Sequence, residues 1–410
     1  MRIIKINGRE YVFDEETLSL IPSENKEGIK KLKSTSNNNS KNDPQDYNTE
    51  LFDFSPYKLY LLVTNNCNLA CKYCYAAERT QDLAEQVMSF SIAKKSVDFL
   101  FSREKEYYEI VFFGGEPLMN FGLIKEVVKY CNQKNKKMVY SIVTNGTLLN
   151  EEKILFMKDN GFKVILSVDG GENVQNSCRP FKGGKGTFET IKNNVLLLEK
   201  LYHLNQISIT INKNNLNIHD QIKELMNHGI NGNISLEIVT SRDPKLALDE
   251  KDMLTLAKEY NKITELIINT WNDKEKFIKV SNFFGPLNEI NKSKEPILRQ
   301  YRCTAFINHF AVSYEGNVYP CSRFEGEKKF LIGNINTGIN INKVNELIKE
   351  INITQKEKCM GCWMRNVCGG GCYNIFYFHN NFLNKTYPLF CQHQELFFEQ
   401  ALKWYVFMNE

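Results

Sequence analysis

The sequence predicts an α/β protein built around an open, TIM-like partial barrel of six βα units. A short N-terminal β-hairpin precedes the barrel and a cysteine-rich C-terminal domain follows it. Three observations carry this reading. Between residues 58 and 240, six apolar strand-like runs alternate with amphipathic helical patterns, which implies a parallel sheet with helices packed outside it. Six such units are too few to close an eight-stranded barrel. Ten of the twelve cysteines fall in two short-spaced groups, at 67–74 and 303–391, spacings that suit inorganic clusters.

Taken in order, residues 1–22 read as two short strands, RIIKIN and YVFDEETLSLI, joined at Asn7-Gly8, a hairpin turn signal. From Ser23 to Asn48 the composition shifts to Lys, Ser, Asn and Asp, too little apolar surface to offset ordering entropy, and the stretch reads as a flexible linker. The barrel strands are KLYLLVTN (58–65), YEIVFFG (108–114), VYSIVTN (139–145), KVILSVDG (163–170), QISITIN (206–212) and ISLEIVT (234–240). Helices between and after them include SIAKKSVDFLF, GLIKEVVKYC, EKILFMKDN, ETIKNNVLLLEKLY and MLTLAKEYNKITELIINTW. All strands but the last end in polar or glycine-rich sequence (TNNC, GGEP, TNGT, SVDGG, TINK), and in parallel βα architectures the loops at that end carry the chemistry. From about residue 300 the cysteine ladder sets the structure, and a final amphipathic helix surrounds ELFFEQALKWYVF. The expected domains are 1–56, 57–290 and 291–410.

The 410 residues carry 52 basic and 48 acidic side chains, a net charge of +4, which offers no basic stripe for nucleic acid. No run reaches the length needed to cross a bilayer, and MRIIKINGRE alternates instead of opening as a signal peptide, so a cytoplasmic, membrane-free protein is expected. Twelve cysteines in a long chain with ample core material read as metal ligation in a reducing compartment, not as a disulfide scaffold.

Cys67, Cys71 and Cys74 follow the first strand in CNLACKYC. Thiolates on one loop can surround a cubane iron–sulfur cluster, and three ligands leave one iron open; the alternative, a structural zinc site, favours paired Cys-x2-Cys units and four closed ligands. The run resembles the signature of the radical SAM superfamily. That resemblance implies a four-iron cluster whose open iron is chelated by the amino and carboxylate groups of S-adenosylmethionine, and it implies a partial barrel. It places Tyr73 against the adenine, although Tyr73 alone could equally be a packing aromatic. Gly114-Gly115-Glu116-Pro117 combines glycines that let the backbone approach a ligand with a carboxylate acceptor, and the resemblance assigns it to the methionine amino group. Ser167, in SVDGG, would supply a hydroxyl to the ribose or the carboxylate. Arg179, in NSCRPFKGGKGTF, matches an arginine that pairs with the methionine carboxylate, a task suited to a forked guanidinium. Relatives often place His-Asp just before that arginine, where this chain has Gln175-Asn176-Ser177-Cys178. Asn145 and Asp169 either touch the cofactor or hold their turns together. No catalytic side chain is assigned.

The C-terminal ladder resembles the SPASM domain, which binds two auxiliary iron–sulfur clusters, making three clusters in all. The resemblance implies that Cys359, Cys362, Cys368 and Cys391 enclose the outer cluster and that Cys303, Cys321 and Cys372 hold the inner one. Some relatives place a fourth inner ligand where this chain has His309: either the imidazole ligates or an iron stays open, and the open iron is favoured because histidine ligation is uncommon outside Rieske-type centres. Cys131, on an apolar helix face, reads as a small core residue, and Cys178 lies in a loop near the expected cofactor.

The SPASM group includes anaerobic sulfatase maturases and maturases of ribosomally made peptides. The sulfatase maturases usually carry aspartate immediately after the second SPASM cysteine; here that residue is Ser322. The contexts YPC-x2-F-x-G then GNI, and CMGCWMRNVCGGGC, are similar to peptide maturases that install thioether or carbon–carbon crosslinks. The implied partners are a precursor peptide with a leader and a reduced flavodoxin or ferredoxin-type electron donor. In such enzymes the leader docks as an added strand on an N-terminal recognition domain, whose opening hairpin residues 1–22 resemble. The alternative is a hairpin merely packed on the barrel. The expected function is therefore crosslinking of a precursor peptide, with sulfatase-type oxidation of a Cys or Ser side chain as the alternative. A non-catalytic cysteine-rich binding or electron-transfer module would have no need of GGEP, SVDG and an arginine at one barrel mouth.

Overall fold

Asn7 and Gly8, at φ 51° and 82°, turn the chain between β1 (Arg2–Ile6) and β2 (Arg9–Asp14), with Ile6 paired to Arg9 and Arg2 to Phe13. This is the two-residue connection that Asn-Gly favours. The expected second strand is divided: the Asp14 carboxylate accepts from Glu16 N at 2.8 Å and Thr17 N at 3.0 Å, and that turn returns the chain as β3 (Ser19–Pro22). The linker expectation for 23–48 is corrected in its first half, because Lys26–Asn38 forms a helix, α1. Asn25 Oδ1 accepts from Gly28 N at 2.9 Å to open it, and Ile29 and Leu32 are its half-buried apolar positions. So polar a helix carries almost no compositional signal.

The computed structural model describes residues 1–38, 54–76, 84–273, 277–288, 290 and 299–410; the second half of the expected linker lies outside them. The chain divides into two compact units that depart from the expected boundaries. One unit comprises Asp53–Leu248 with Thr304–Glu346, and the other Met1–Phe52, Asp249–Cys303 and Leu347–Glu410.

In the first of these, all six expected strands form: β4 (Lys58–Leu62), β5 (Tyr108–Phe113), β6 (Met138–Thr144), β7 (Lys163–Ser167), β8 (Gln206–Ile211) and β9 (Asn233–Ile238), each parallel to the next. Helices α2 (Phe90–Leu100), α3 (Phe121–Asn132), α4 (Glu151–Asp159), α5 (Glu172–Cys178), α6 (Phe188–Leu201) and α7 (Ile218–Asn227) connect them. Alternation along the strands sorts the two faces. Leu59, Leu61, Ile110, Phe112, Val164, Leu166, Ile207, Ile209 and Leu236 are buried, whereas Phe113, Val143, Ser167, Thr210 and Glu237 are half-buried and open on a cavity at the strands' C-terminal ends. Residues 309–312, expected in the C-terminal domain, instead extend this sheet as β10, pairing in parallel with β4 from His309–Lys58 to Val312–Leu61. Asn317–Tyr319, β11, returns antiparallel to it. Strands of four and three residues carry too short a pattern to be read from sequence; their pairing makes them strands.

In the other unit, helix α8 (Glu250–Thr270) packs along the C-terminal helix α9 (Pro388–Asn409). The N-terminal sheet packs there as well, Phe13 and Leu20 sharing a core with Met364, Phe398 and Leu402. Phe13 meets the Trp363 ring edge-on at 5.8 Å, and Tyr11 donates to Glu410 at 2.8 Å. The hairpin therefore belongs with the C-terminal helix and the CMGCWM segment, not with the barrel strands.

Candidate functional site

The tip of β5 and the cysteine loop after β4 are built against each other. Gly115 N donates to Thr64 O at 2.9 Å, and Glu116 N donates to Asn66 O at 2.7 Å. A Cβ on Gly114 would stand 2.3 Å from Thr64 O, and one on Gly115 2.1 Å from Asn66 O, so glycine is required for the two backbones to approach. These glycines thus position the loop bearing Cys67, Cys71 and Cys74, as well as lining the cavity beside it.

The Glu116 carboxylate turns away from that cavity. Fully buried, it accepts from Leu118 N at 3.0 Å, Asn145 N at 2.8 Å and Thr144 Oγ1 at 2.8 Å. Burial holds its carboxyl above the usual range against these donors. Pro117, also buried, begins a 3-10 turn behind it. Asn145, fixed through its backbone by Glu116, directs its side-chain amide to Asn68 Oδ1 at 2.9 Å and to Cys67 Sγ at 3.8 Å. Leu69 N reaches the same sulfur at 3.5 Å. Two N–H donors aimed at one sulfur suit a thiolate.

Across the cavity, Arg179 Nη1 donates to Tyr73 Oη at 2.9 Å, and Tyr73 Oη donates to Asp169 Oδ2. Asp169 Oδ1 also accepts from Thr210 N at 3.1 Å, tying this chain to β8. Arg179 is 8% exposed and Asp169 fully buried. Burial raises the Asp169 carboxyl while the Arg179 charge opposes that rise. The Arg179 Nε is buried without a partner, an unspent donor on a residue that lines the cavity. Burial pushes the Cys71 thiol up to about 12, with the Arg179 charge countering it. The cavity, of 170 Å3, is lined by Cys67, Cys71, Cys74, Tyr73, Gly114, Gly115, Asn145, Ser167 and Arg179 among others. Glu116, Pro117 and Asp169 stand behind that lining as supports. Among the described residues no three Cys, His, Asp or Glu side chains converge as the ligands of a single metal ion would. Three thiols on the wall of one cavity, one of them with two N–H donors, and an orphaned arginine donor fit a larger group that holds both cluster and cofactor.

The superfamily model for radical SAM proteins matches residues 61–214, and an uncharacterised protein of Methanocaldococcus jannaschii is 32% identical over 75% of this chain and 94% of its own length. The chain belongs to the radical SAM superfamily. A cysteine-type anaerobic sulfatase-maturating enzyme of Clostridium novyi is 26% identical over 83% of this radical SAM enzyme and 93% of its own length. The subtilosin biosynthesis protein AlbA of Bacillus subtilis is 26% identical over 76% and 66%. Among solved structures, the native enzyme anSMEcpe with bound AdoMet and Cp18Cys peptide covers 87% of the chain at TM-score 0.70 and 23% identity, and all of its own chain is matched. Radical SAM membership implies S-adenosylmethionine and a four-iron cluster, and no described helix is long and apolar enough to cross a membrane.

Several lining residues escaped sequence reasoning. Thr210 and Glu237 face each other in register on β8 and β9. The signal was present in parity: Glu237 interrupts the apolar run NISLEIV on the cavity-facing side. Tyr75, Thr240 and Arg323 also line the cavity; Arg323 lies over the Tyr75 ring at 5.6 Å, with Nη1 3.5 Å from Thr240 Oγ1. Arg323 follows Ser322, which is buried and begins a 3-10 turn.

In the other unit, Cys359, Cys362, Cys368 and Cys391 line one small cavity of 40 Å3. Cys303 and Cys372 share that unit, whereas Cys321 belongs to the barrel unit. His309 is buried in β10, its Nδ1 3.0 Å from Thr304 Oγ1, and burial pushes its imidazole down to about 3. Cys131 is a core residue of α3. Cys178, also buried, contacts Asn212 at 3.8 Å and does not line the cavity.

Proposed function

We propose that this enzyme modifies a ribosomally made peptide by radical chemistry and closes a crosslink in it. Bound at the cavity, the cluster and S-adenosylmethionine would supply one-electron cleavage to a 5′-deoxyadenosyl radical that takes a hydrogen atom from the peptide. Cys67, Cys71 and Cys74 would hold the cluster, and Arg179, braced by Tyr73 and Asp169, would bind the cofactor carboxylate with its spare Nε donor. Ser167 and the Gly114-Gly115 backbone would complete the cofactor cradle. Glu237 is the carboxylate among the described lining residues. It would take the proton that a substrate thiol or ring releases as the new bond closes, and the C-terminal iron–sulfur clusters would accept the electron released with it. Among the described residues no further strand pairs with the outer edges of the β1–β3 sheet, and the peptide leader would add there as a strand.

The observation that carries the crosslinking reading is Ser322, a buried hydroxyl where sulfatase maturases usually place a carboxylate. End-to-end similarity to the Clostridium novyi enzyme favours a second reading, oxidation of a cysteine side chain in a sulfatase. Mass spectrometry of any short cysteine-rich peptide found encoded beside the gene, and of a sulfatase peptide, each incubated with reconstituted enzyme, S-adenosylmethionine and reductant, separates the two. Loss of two hydrogens with all sulfur retained supports crosslinking. Exchange of sulfur for oxygen in a sulfatase peptide, with no change to the neighbouring peptide, establishes the second reading.

A further inference from the structure

Lys356 is an ammonium taken out of water: it is 1% exposed. Its Nζ donates to Gly370 O at 2.9 Å and lies over the rings of Tyr373 at 4.8 Å and Phe376 at 5.6 Å. A Cβ on Gly370, at φ 92°, would stand 3.0 Å from that nitrogen, so the lysine head packs closely against the CGGGC turn. Among the described residues no carboxylate pairs with it, while its backbone carbonyl accepts from Cys359 N at 2.8 Å and the Gly370 carbonyl that it bonds lies between Cys368 and Cys372 in the chain. A buried cation without a counter-charge is strongly disfavoured, and such groups persist where an anion compensates them. Neutral thiols are poor compensation, whereas thiolates around an iron–sulfur cluster carry the negative charge the site lacks. Arg302 also reaches Cys368 Sγ, at 3.7 Å, but it is half-buried and shared with Gln394 at 2.6 Å.

We propose that Lys356 is the internal counter-cation of the C-terminal iron–sulfur sites, standing among thiols of both expected sets and favouring their reduced, more negative state. Its fixed charge raises the potential at which these sites accept one electron, with no proton transferred. The inference rests on the reading of the C-terminal cysteines as cluster ligands.

The test uses the full chain, reconstituted anaerobically, with Cys67, Cys71 and Cys74 replaced by alanine so that only C-terminal signals remain, titrated with dithionite under electron paramagnetic resonance. Lys356→Met should lower the reduction equilibrium constant of at least one site by about tenfold or more, equal to about 59 mV for one electron. Lys356→Arg should titrate like the parent. Equal potentials in the parent and Lys356→Met, at equal iron content, overturn the proposal alone. If Lys356→Met cannot hold iron, retention of iron and potential by Lys356→Arg supports the charge role, and equal loss in both variants overturns it. No iron in the parent background overturns the cluster reading, and the proposal with it.

Discussion

Tyr73→Phe removes a single oxygen that two buried charged groups share. In the native protein that oxygen accepts from Arg179 Nη1 at 2.9 Å and donates to Asp169 Oδ2. Hydrogen bonds to charged groups contribute about 1.5–3 kcal/mol each, and a buried group left without its partner pays its desolvation in full. The two bonds share one atom and Asp169 keeps its bond from Thr210 N, so the combined cost is roughly 2–3 kcal/mol. At about 2–4 °C per kcal/mol for a unit of this size, cluster-free protein should melt roughly 4–12 °C lower. Adding Asp169→Asn removes the carboxylate that needed the donor, so the double variant should lose less than the sum of the singles, with a coupling of about 1 kcal/mol. Calorimetry on wild type, both singles and the double decides it. In reconstituted enzyme the loosened Arg179 should also weaken S-adenosylmethionine binding by about tenfold or more, a loss of about 1.4 kcal/mol. Melting within a degree of wild type, or strictly additive losses, would refute the Arg179–Tyr73–Asp169 chain as a unit.

Replacing Cys67, Cys71 and Cys74 with alanine should remove about four irons per chain and abolish 5′-deoxyadenosine formation; continued production at the wild-type rate contradicts the assignment. Burial holds the Glu116 carboxyl above 4.5, so its contribution to native stability is full below the unfolded value and is lost as pH rises through the higher folded one. Glu116→Gln cannot ionise, so the stability of wild type relative to this variant should fall as pH rises from about 4 to neutrality, and a flat difference in denaturant midpoints counts against the burial argument. If the inner cluster keeps an open iron, His309→Phe should leave iron content unchanged; loss of iron with retained fold would make the imidazole a ligand.

Where periodicity and chemistry spoke together, the sequence was legible. The runs at 58–65 and 108–114 are largely apolar and that at 206–212 alternates apolar with polar, each is bounded by polar turns, and all three form as parallel strands. Most residues singled out by the barrel motifs, including Tyr73, Gly115, Asn145 and Arg179, line one cavity. Legibility failed where structure depends on distant pairing or on weak local pattern. His309–Val312 becomes a strand because β4 offers an edge, and α1 forms from a lysine-rich stretch with two apolar anchors. The short α7 between β8 and β9 was also overlooked, although Ile218, Ile222 and Leu225 mark its buried face. At Glu116 the motif carried only part of the arrangement: three donors from its own chain bond the carboxylate, a result that follows from the fold of the β5 tip and not from GGEP alone. Arg323 had no periodicity to announce it; the neighbouring Ser322 drew attention while the arginine reached the cavity.

In the proposed site Cys67, Cys71 and Cys74 would hold a cluster with one iron left for S-adenosylmethionine. Electron paramagnetic resonance of the reduced, anaerobically reconstituted enzyme tests it directly, in a variant lacking the C-terminal cysteines so that one signal is read. A changed spectrum is expected when S-adenosylmethionine is added, with the change lost in Arg179→Met at the same concentration. A spectrum indifferent to saturating S-adenosylmethionine would contradict it.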